Sequence, residues 1–301
     1  MKIAVLMSTY NGERYIREQI NSILAQQGNF TLDLWVRDDG STDSTLQILQ
    51  SYQEAGALQW YAGSNLKPAH SFWDLLLHCS GYDYYAFADQ DDVWDPDKLA
   101  CALQQLAGAD CPAMYFANAR LVDAQLAYLG RDVYRQKPRT DFYSLVCNGG
   151  ILGCTMVLNA SLAELIRQSP VPKKMVMHDA FVATTCAMFD GAFFYDHETR
   201  MDYRQHGNNV VGSKWTKWDA LRDRIKTVTT PRRISIAEQA QSLITCFPQL
   251  SDPHKEAFLY QVAHYRDSLW NAAKLSLSKK PQFNGKNKEF TARLAMLFRN
   301  Y

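Results

Sequence analysis

The stretch 84-YYAFADQDDVWDPDKL-99 decides how the chain folds. An apolar run, Tyr84–Ala88, drives directly into five carboxylates within nine residues: Asp89, Asp91, Asp92, Asp95 and Asp97. A buried strand that ends in acids repels itself unless something cationic offsets the charge. Two earlier apolar runs also end abruptly in polar residues. The run 2-KIAVLM-7 enters the turn 8-STYNG-12, and 32-LDLWVR-37 enters 38-DDGSTD-43. Three apolar strands therefore end in polar clusters.

Helical patterns separate them. In 13-ERYIREQINSILAQQ-27, Ile16, Ile20, Ile23 and Leu24 fall at i, i+4, i+7 and i+8, one helical face. Asn11 is the expected N-cap. The segment 43-DSTLQILQSYQEAG-56 reads as a second helix, with Asp43 or Ser44 at its start and Gly56 at its end. A short strand, 58-LQWYAG-63, and a third helix, 69-AHSFWDLLLHC-79, complete the alternation. Strand–helix alternation predicts an α/β layer with a mostly parallel sheet. In such sheets ligands bind beyond the carboxyl ends of the strands, where all three polar clusters fall.

Beyond residue 112 the pattern is less regular. 113-AMYFANARLVD-123 reads as a strand, 148-NGGILGCTMVLN-159 as a loop and strand, and 179-DAFVATTCAMF-189 as a helix. 191-GAFFYDHETRMDYRQHGNNVVG-212 reads as a strand and a polar loop. Composition then turns basic. Residues 214–301 hold 16 Lys+Arg against 7 Asp+Glu, and residues 1–213 hold 16 against 24. This places a boundary near 213, between an α/β domain (1–213) and a basic, mainly helical region (214–301).

Seven scattered cysteines, without a Cys-x-x-Cys pair, argue against a disulfide framework or zinc site and fit a reducing cytoplasm. The N-terminal run lacks the features of a secretory signal. No apolar stretch reaches the ~18 residues of a membrane span. The basic residues form no nucleic-acid recognition motif.

Four constellations carry chemistry. In 37-RDDGSTD-43 a strand-end carboxylate suits a base N–H or a ribose hydroxyl, or else simple turn chemistry. Asp89 and Asp91, two apart on an extended segment, point the same way and could share a divalent cation with hard-oxygen preference. Asp95 reads as the cap of the next helix, with Pro96 at its first position. In 177-MHDAF-181, Asp179 is a general base or a helix cap. In 203-YRQHGNN-209, His206 could complete a metal shell and Arg204 could face a phosphate.

The ordered set STYNG, DDGSTD and ADQDD resembles the inverting glycosyltransferases of the GT-A fold (glycosyltransferase family 2). FADQDDVW, GGILGCTMVLN, HD and YRQHGNNVVG resemble its rhamnosyltransferase-like branch. The resemblance covers residues 1–212. It implies a GT-A fold with a C-terminal helical extension, and a Mg²⁺ or Mn²⁺ cofactor. It also implies transfer of a sugar, L-rhamnose from dTDP-L-rhamnose by branch, to a lipid-linked bacterial surface glycan. Thr9, Tyr10, Asn11, Asp39 and Asp89 would bind the nucleotide. Asp91 and His206 would hold the metal, and Asp179 would be the catalytic base. Gly149, Gly150, His178 and Arg204 would flank sugar or acceptor. The His-Asp pair replaces the commoner Glu-Asp of the family.

UDP-galactose or UDP-glucose is the alternative donor. A nucleotidyltransferase would be expected to carry a Gly-rich phosphate loop, which STYNGERY lacks. A catalytically idle nucleotide-sugar binder would be expected to lack Asp91 or Asp179. A glycosidase would use two carboxylates without a nucleotide. Around 214-KWTKWDALRDRIKTVTTPRRIS-235, Trp215 and Trp218 among cations fit docking on the anionic inner face of the cytoplasmic membrane, or packing of a helical appendage.

Overall fold

The computed structural model describes residues 1–206 and 217–301. In chain order the first elements are β1 (Lys2–Thr9), α1 (Ile16–Leu24), β2 (Thr31–Asp38), α2 (Thr45–Glu54), β3 (Gln59–Ala62), α3 (Lys67–His78) and β4 (Tyr84–Asp89). There follow β5 (Val93–Trp94), α4 (Lys98–Leu106), β6 (Ala113–Val122), β7 (Tyr128–Asp132), α5 (Phe142–Asn148), β8 (Met156–Asn159), α6 (Ala160–Arg167), α7 (His178–Met188) and β9 (Ala192–Arg204). The chain continues as α8 (Lys217–Thr229), α9 (Ile236–Cys246), α10 (Pro253–Ala263), α11 (Leu269–Ser276) and α12 (Lys286–Leu297). Packing divides it into two compact units. One holds Met1–Lys137, Ile151–Gln168 and the segment from Asp190 through β9. The other holds Pro138–Gly150, Ser169–Phe189 and the C-terminal helices.

The first unit is built on one sheet of order β3-β2-β1-β4-β8-β6-β9-β5, with β7 paired to β6. The β3-β2-β1-β4 half is parallel, and the helical crossovers that parallel strands require follow from the alternation in the sequence. β1 is buried on both faces, so it reads as an unbroken apolar run. Ile3, Val5 and Met7 share a core with Ile16, Ile20 and Ile23 of α1. Full burial of each such side chain stabilises the fold by about 1.5–3 kcal/mol. Leu24, placed on the same face by periodicity, is instead exposed.

Beyond β4 the sheet is mixed: β8 runs antiparallel to β4 and β6, and β9 parallel to β6. Two-residue β5 pairs with β9, Val93 against Asp202 and Trp94 against Met201. That short ladder lays the turn after β4 beside the end of β9.

Two expected caps are corrected. Tyr15, not Asn11, is the N-cap of α1; Asn11 is left-handed (φ 49°) and its side chain holds another loop. The N-cap of α4 is Asp97, without a side-chain cap bond, and Pro96 lies outside the helix. Asp95 instead forms a two-pronged pair with Arg120, at 2.6 and 2.9 Å.

The second unit is helical around Phe181, Leu243, Phe247, Phe258 and Val262, all buried. Its helix ends are satisfied locally. Ser235 and Glu238 form a reciprocal capping box on α9, and Asp252 accepts from His254 and Lys255 N–H on α10. Buried Lys255 donates to the Ala187 and Met188 carbonyls, placing a cation at the negative end of α7. Among the described residues, no helix is long and apolar enough to cross a membrane. Lys214, Trp215 and the 207-GNNVVG-212 segment lie outside the described residues, as do the side chains of Lys217 and Trp218.

Candidate active site

The tips of β1 and β2 are bound into one edge. Gln90 bridges the β1 tip to β4: its side-chain oxygen accepts from Thr9 Oγ1 at 2.5 Å and Tyr10 N–H at 2.9 Å, and its amide donates to the Tyr10 carbonyl. Gly12 is required here, because a Cβ would sit 2.4 Å from Gln90 Oε1. Asn11 N–H donates to Ser41 Oγ, and Asn11 Oδ1 accepts from Thr42 N–H, both at 2.8 Å. These bonds lock the two loops together and leave the Tyr10 ring exposed at the rim.

Asp39 is nearly covered, 3% exposed. Its carboxylate takes the Arg37 guanidinium and the N–H groups of Leu66 and Lys67, at the N-terminus of α3. A carboxylate belongs there electrostatically. Asp38 is likewise consumed by the Gly40 and Ser41 N–H groups and the Ser41 hydroxyl. Buried Arg37 also pairs with Asp74 at 2.9 Å, so one cation offsets the acids of this strand end.

At the β4 tip the strand ends at Asp89 and the backbone turns over Gln90 and Asp91. The alternation expected to aim Asp89 and Asp91 together is therefore interrupted. Asp91 meets His206 instead, Oδ2 to Nε2 at 2.6 Å, each side chain 17% exposed. The His206 ring also lies on Tyr15, with centroids 5.1 Å apart.

Arg204, expected to face a phosphate, is drawn into the protein. It is buried, its Nε donates to the Asp91 carbonyl and its NH1 to the Ala124 carbonyl, both at 2.7 Å. NH2 pairs with Glu18, and the guanidinium lies over Tyr15. Arg204 N–H donates in turn to Asp92 Oδ1 at 3.1 Å. Arg204 and Asp92 thus staple the end of β9 to the turn after β4, two residues before His206.

Beneath the turn, donor atoms of Asp89, Asp92 and Cys154 lie within 4.8 Å of one another. Burial, then the charges of Asp91 and Asp89, push Asp92 well above the ordinary carboxylate range. Burial, then Asp92 and Asp89, also raises the Cys154 thiol. Fully buried Lys98 donates to the Cys154 carbonyl at 2.8 Å and stands over Trp94; burial pulls its ammonium down to about 7.

The donor chemistry separates two candidate cation sets. A hard ion such as Mg²⁺ or Mn²⁺ gains little from a thiol kept protonated. Asp91 with His206, partly exposed and carrying oxygen and imidazole donors, suits a divalent ion with positions left open.

In the helical unit, Asp179 lies in the first turn of α7, and Met177, not Asp179, is the N-cap. The carboxylate is half-buried and accepts from Ala180 N–H at 2.6 Å. Gly149 ends α5 with φ 56°, and a Cβ there would stand 3.1 Å from Ala180 Cβ. That glycine lets the Gly149–Gly150 turn approach the first turn of α7. Neighbouring His178 is buried, and burial pushes its imidazole down to about 3, so it is neutral at ordinary pH.

The structure thus gathers Thr9, Tyr10, Asn11, Asp39, Asp89, Asp91 and His206 at the strand tips of the first unit. In the second it gathers Gly149, Gly150, His178 and Asp179. Gln90, Arg37, Glu18, Asp92 and Cys154 escaped the sequence reading as site-building groups. Gln90 and Asp92 stood inside the motif 88-ADQDD-92, Cys154 inside the Gly-punctuated segment, and Arg37 was the one charge at the end of an apolar strand; Glu18 had no local signal.

Residues 4–162 match the family model described as Glycosyl transferase family 2. The dTDP-rhamnosyl transferase RfbG of Shigella flexneri is 32% identical over 228 residues, 69% of this chain and 74% of RfbG. TuaG of Bacillus subtilis (strain 168), named for teichuronic acid biosynthesis, is 27% identical over 217 residues, 71% of this chain and 82% of its own. Among solved structures, Staphylococcus aureus TarS residues 1–349 in complex with UDP-GlcNAc superposes with a TM-score of 0.58. The match has 20% identity and covers 93% of this chain and 77% of that one.

Proposed function

The chain belongs to glycosyl transferase family 2, with the GT-A fold and a helical C-terminal region. From that premise we propose an inverting, metal-dependent transfer of L-rhamnose from dTDP-L-rhamnose to a hydroxyl of a lipid-linked bacterial surface polysaccharide, at the inner face of the cytoplasmic membrane. The observation that carries the reading is the Asp91–His206 pair, held at the β4 tip beside the joined tips of β1 and β2. Similarity to RfbG supports the choice of donor.

Tyr10, exposed at the rim, offers a face for the base, with Thr9 and Asn11 fixing its loop and Asp39 shaping the wall from beneath. Asp89 takes the ribose. Asp91 and His206 would hold Mg²⁺ or Mn²⁺. When bound, the ion supplies Lewis-acid stabilisation of the charge that grows on the leaving diphosphate. Asp179 takes the proton of the acceptor hydroxyl as the oxygen attacks the anomeric carbon. A positioned base of this kind contributes typically ~10²–10⁴-fold. Gly149, Gly150 and neutral His178 border the acceptor without adding charge. One in-line displacement inverts the anomeric centre.

The test is a panel of dTDP-L-rhamnose, UDP-galactose, UDP-glucose and UDP-GlcNAc, each with Mn²⁺, read first by thermal shift and then by released nucleoside diphosphate. The expected result is stabilisation and turnover with dTDP-L-rhamnose and an inverted linkage by NMR. A UDP-sugar as the sole productive donor would replace the rhamnose assignment, and release of pyrophosphate would end the transferase reading.

A further inference from the structure

The last two helices carry large apolar side chains that the fold leaves in solvent. Trp270 is 78% exposed, Leu277 80% and Phe290 69%. Their spacing is regular. Trp270 and Lys274 stand at i and i+4 on α11, and Leu277, its C-cap, at i+7, opposite the buried Ala272, Leu275 and Ser276. Phe290, Leu294 and Leu297 stand at i, i+4 and i+7 on α12, opposite buried Thr291, Ala292, Ala295 and Met296.

Arg293 joins the two stripes. It donates to the Ser276 and Ser278 carbonyls at 2.7 Å, on either side of Leu277, and Ser276 Oγ returns a bond to the Arg293 carbonyl. Phe290 and Leu297 lie about one turn on either side of Arg293. The outward stripes of α11 and α12 are therefore neighbours. A contiguous apolar surface of this kind marks an interaction site.

Charge identifies what covers it. From Leu269 to Arg299 there are seven Lys+Arg and one acid, Glu289. Glu289 is neutralised by Arg293 at 2.8 Å. Lys274, Lys279, Lys286 and Lys288 are exposed around the apolar stripes. Lys288 also borders a cleft of about 210 Å³ whose wall carries Arg224 and Arg232 against one acid, Asp223. A second copy of the chain would bring these like charges face to face across a symmetric contact. A bilayer bearing anionic headgroups takes both parts at once, the apolar side chains into the interface and the lysines against phosphate.

We propose that the α11–α12 face is a peripheral docking surface for an anionic lipid bilayer, with Trp270, Leu277 and Phe290 inserting at headgroup depth. This deepens, and for its purpose rests on, the lipid-linked acceptor reading. It adds a face formed by two packed helices to the Trp215–Trp218 segment, whose side chains lie outside the described residues.

The test is co-flotation of the full chain with phosphatidylcholine vesicles and with phosphatidylcholine vesicles that also carry phosphatidylglycerol, an anionic lipid. Binding is expected only with phosphatidylglycerol and is weakened by salt. Trp270→Ser with Phe290→Ser should lower partitioning roughly tenfold or more, with an unchanged melting temperature because both side chains are exposed. Lys274→Glu and Lys279→Glu should each cost about fivefold or more. Unchanged flotation of the double variant overturns the proposal. So does a lipid-free dimer in sedimentation velocity that the double variant dissolves while wild type ignores vesicles. Nucleotide-sugar turnover on a soluble acceptor is measured in parallel and should be the same in both proteins. Its absence in wild type would sink the sugar-transfer reading and leave the flotation result standing.

Discussion

Replacing Arg204 by Met keeps the aliphatic bulk over Tyr15 and removes every donor of the guanidinium. Two charged-donor bonds of 2.7 Å, to the Asp91 and Ala124 carbonyls, are lost. Bonds of this type contribute about 1.5–3 kcal/mol each. Glu18 is 55% exposed, so its ion pair adds at most about 1 kcal/mol. The expected loss is about 3–6 kcal/mol, concentrated where β9 meets the turn after β4. Hydrogen exchange read by mass spectrometry checks this, because 1.4 kcal/mol is a factor of ten. Protection of peptides spanning 89–95 and 200–206 should fall by roughly 10²–10⁴ where they report on the same opening. Donor affinity should fall with it, since Asp91 and His206 lose their alignment. Glu18→Gln is the control and should lose less than about 1 kcal/mol. If Arg204→Met keeps wild-type protection and loses only turnover, Arg204 contacts substrate after all and the staple is wrong.

His206→Gln and Asp91→Asn should each weaken Mn²⁺-dependent donor binding while leaving metal-free nucleotide binding little changed; equal calorimetric affinities with and without Mn²⁺ in wild type would remove the pair from metal binding. Asp179→Asn should lower transfer by about 10²–10⁴-fold with donor affinity retained, and full turnover would exclude it as the base. Lys98 supplies a pH signature. Its folded value of about 7 lies below the ordinary 10.5, so above pH 7 the unfolded chain binds the extra proton and stability rises with pH. The window is pH 7 to about 8.5. Above it the buried thiols Cys147 and Cys154, raised in the fold, act in the opposite sense. Urea midpoints of Lys98→Met should lack this rise between pH 7 and 8.5, and parallel wild-type and variant profiles would refute the assignment.

The sequence alone settled where the strands end and which residue types gather there. Apolar runs such as Ile3–Met7 and Tyr85–Ala88 are buried on both faces, and period and run length report that locally. The polar clusters at their ends were legible because local hydrophobicity stops within about two residues of the strand's end. Tertiary structure decided what each acid does. Asp39 is consumed by Arg37 and the start of α3. Asp91 pairs with His206, 115 positions on. Arg204 is drawn inside as a staple, although its neighbours suggested a phosphate contact. Side-chain partners so distant in sequence leave no periodic trace. The β5–β9 and β6–β9 ladders bring them within hydrogen-bonding distance.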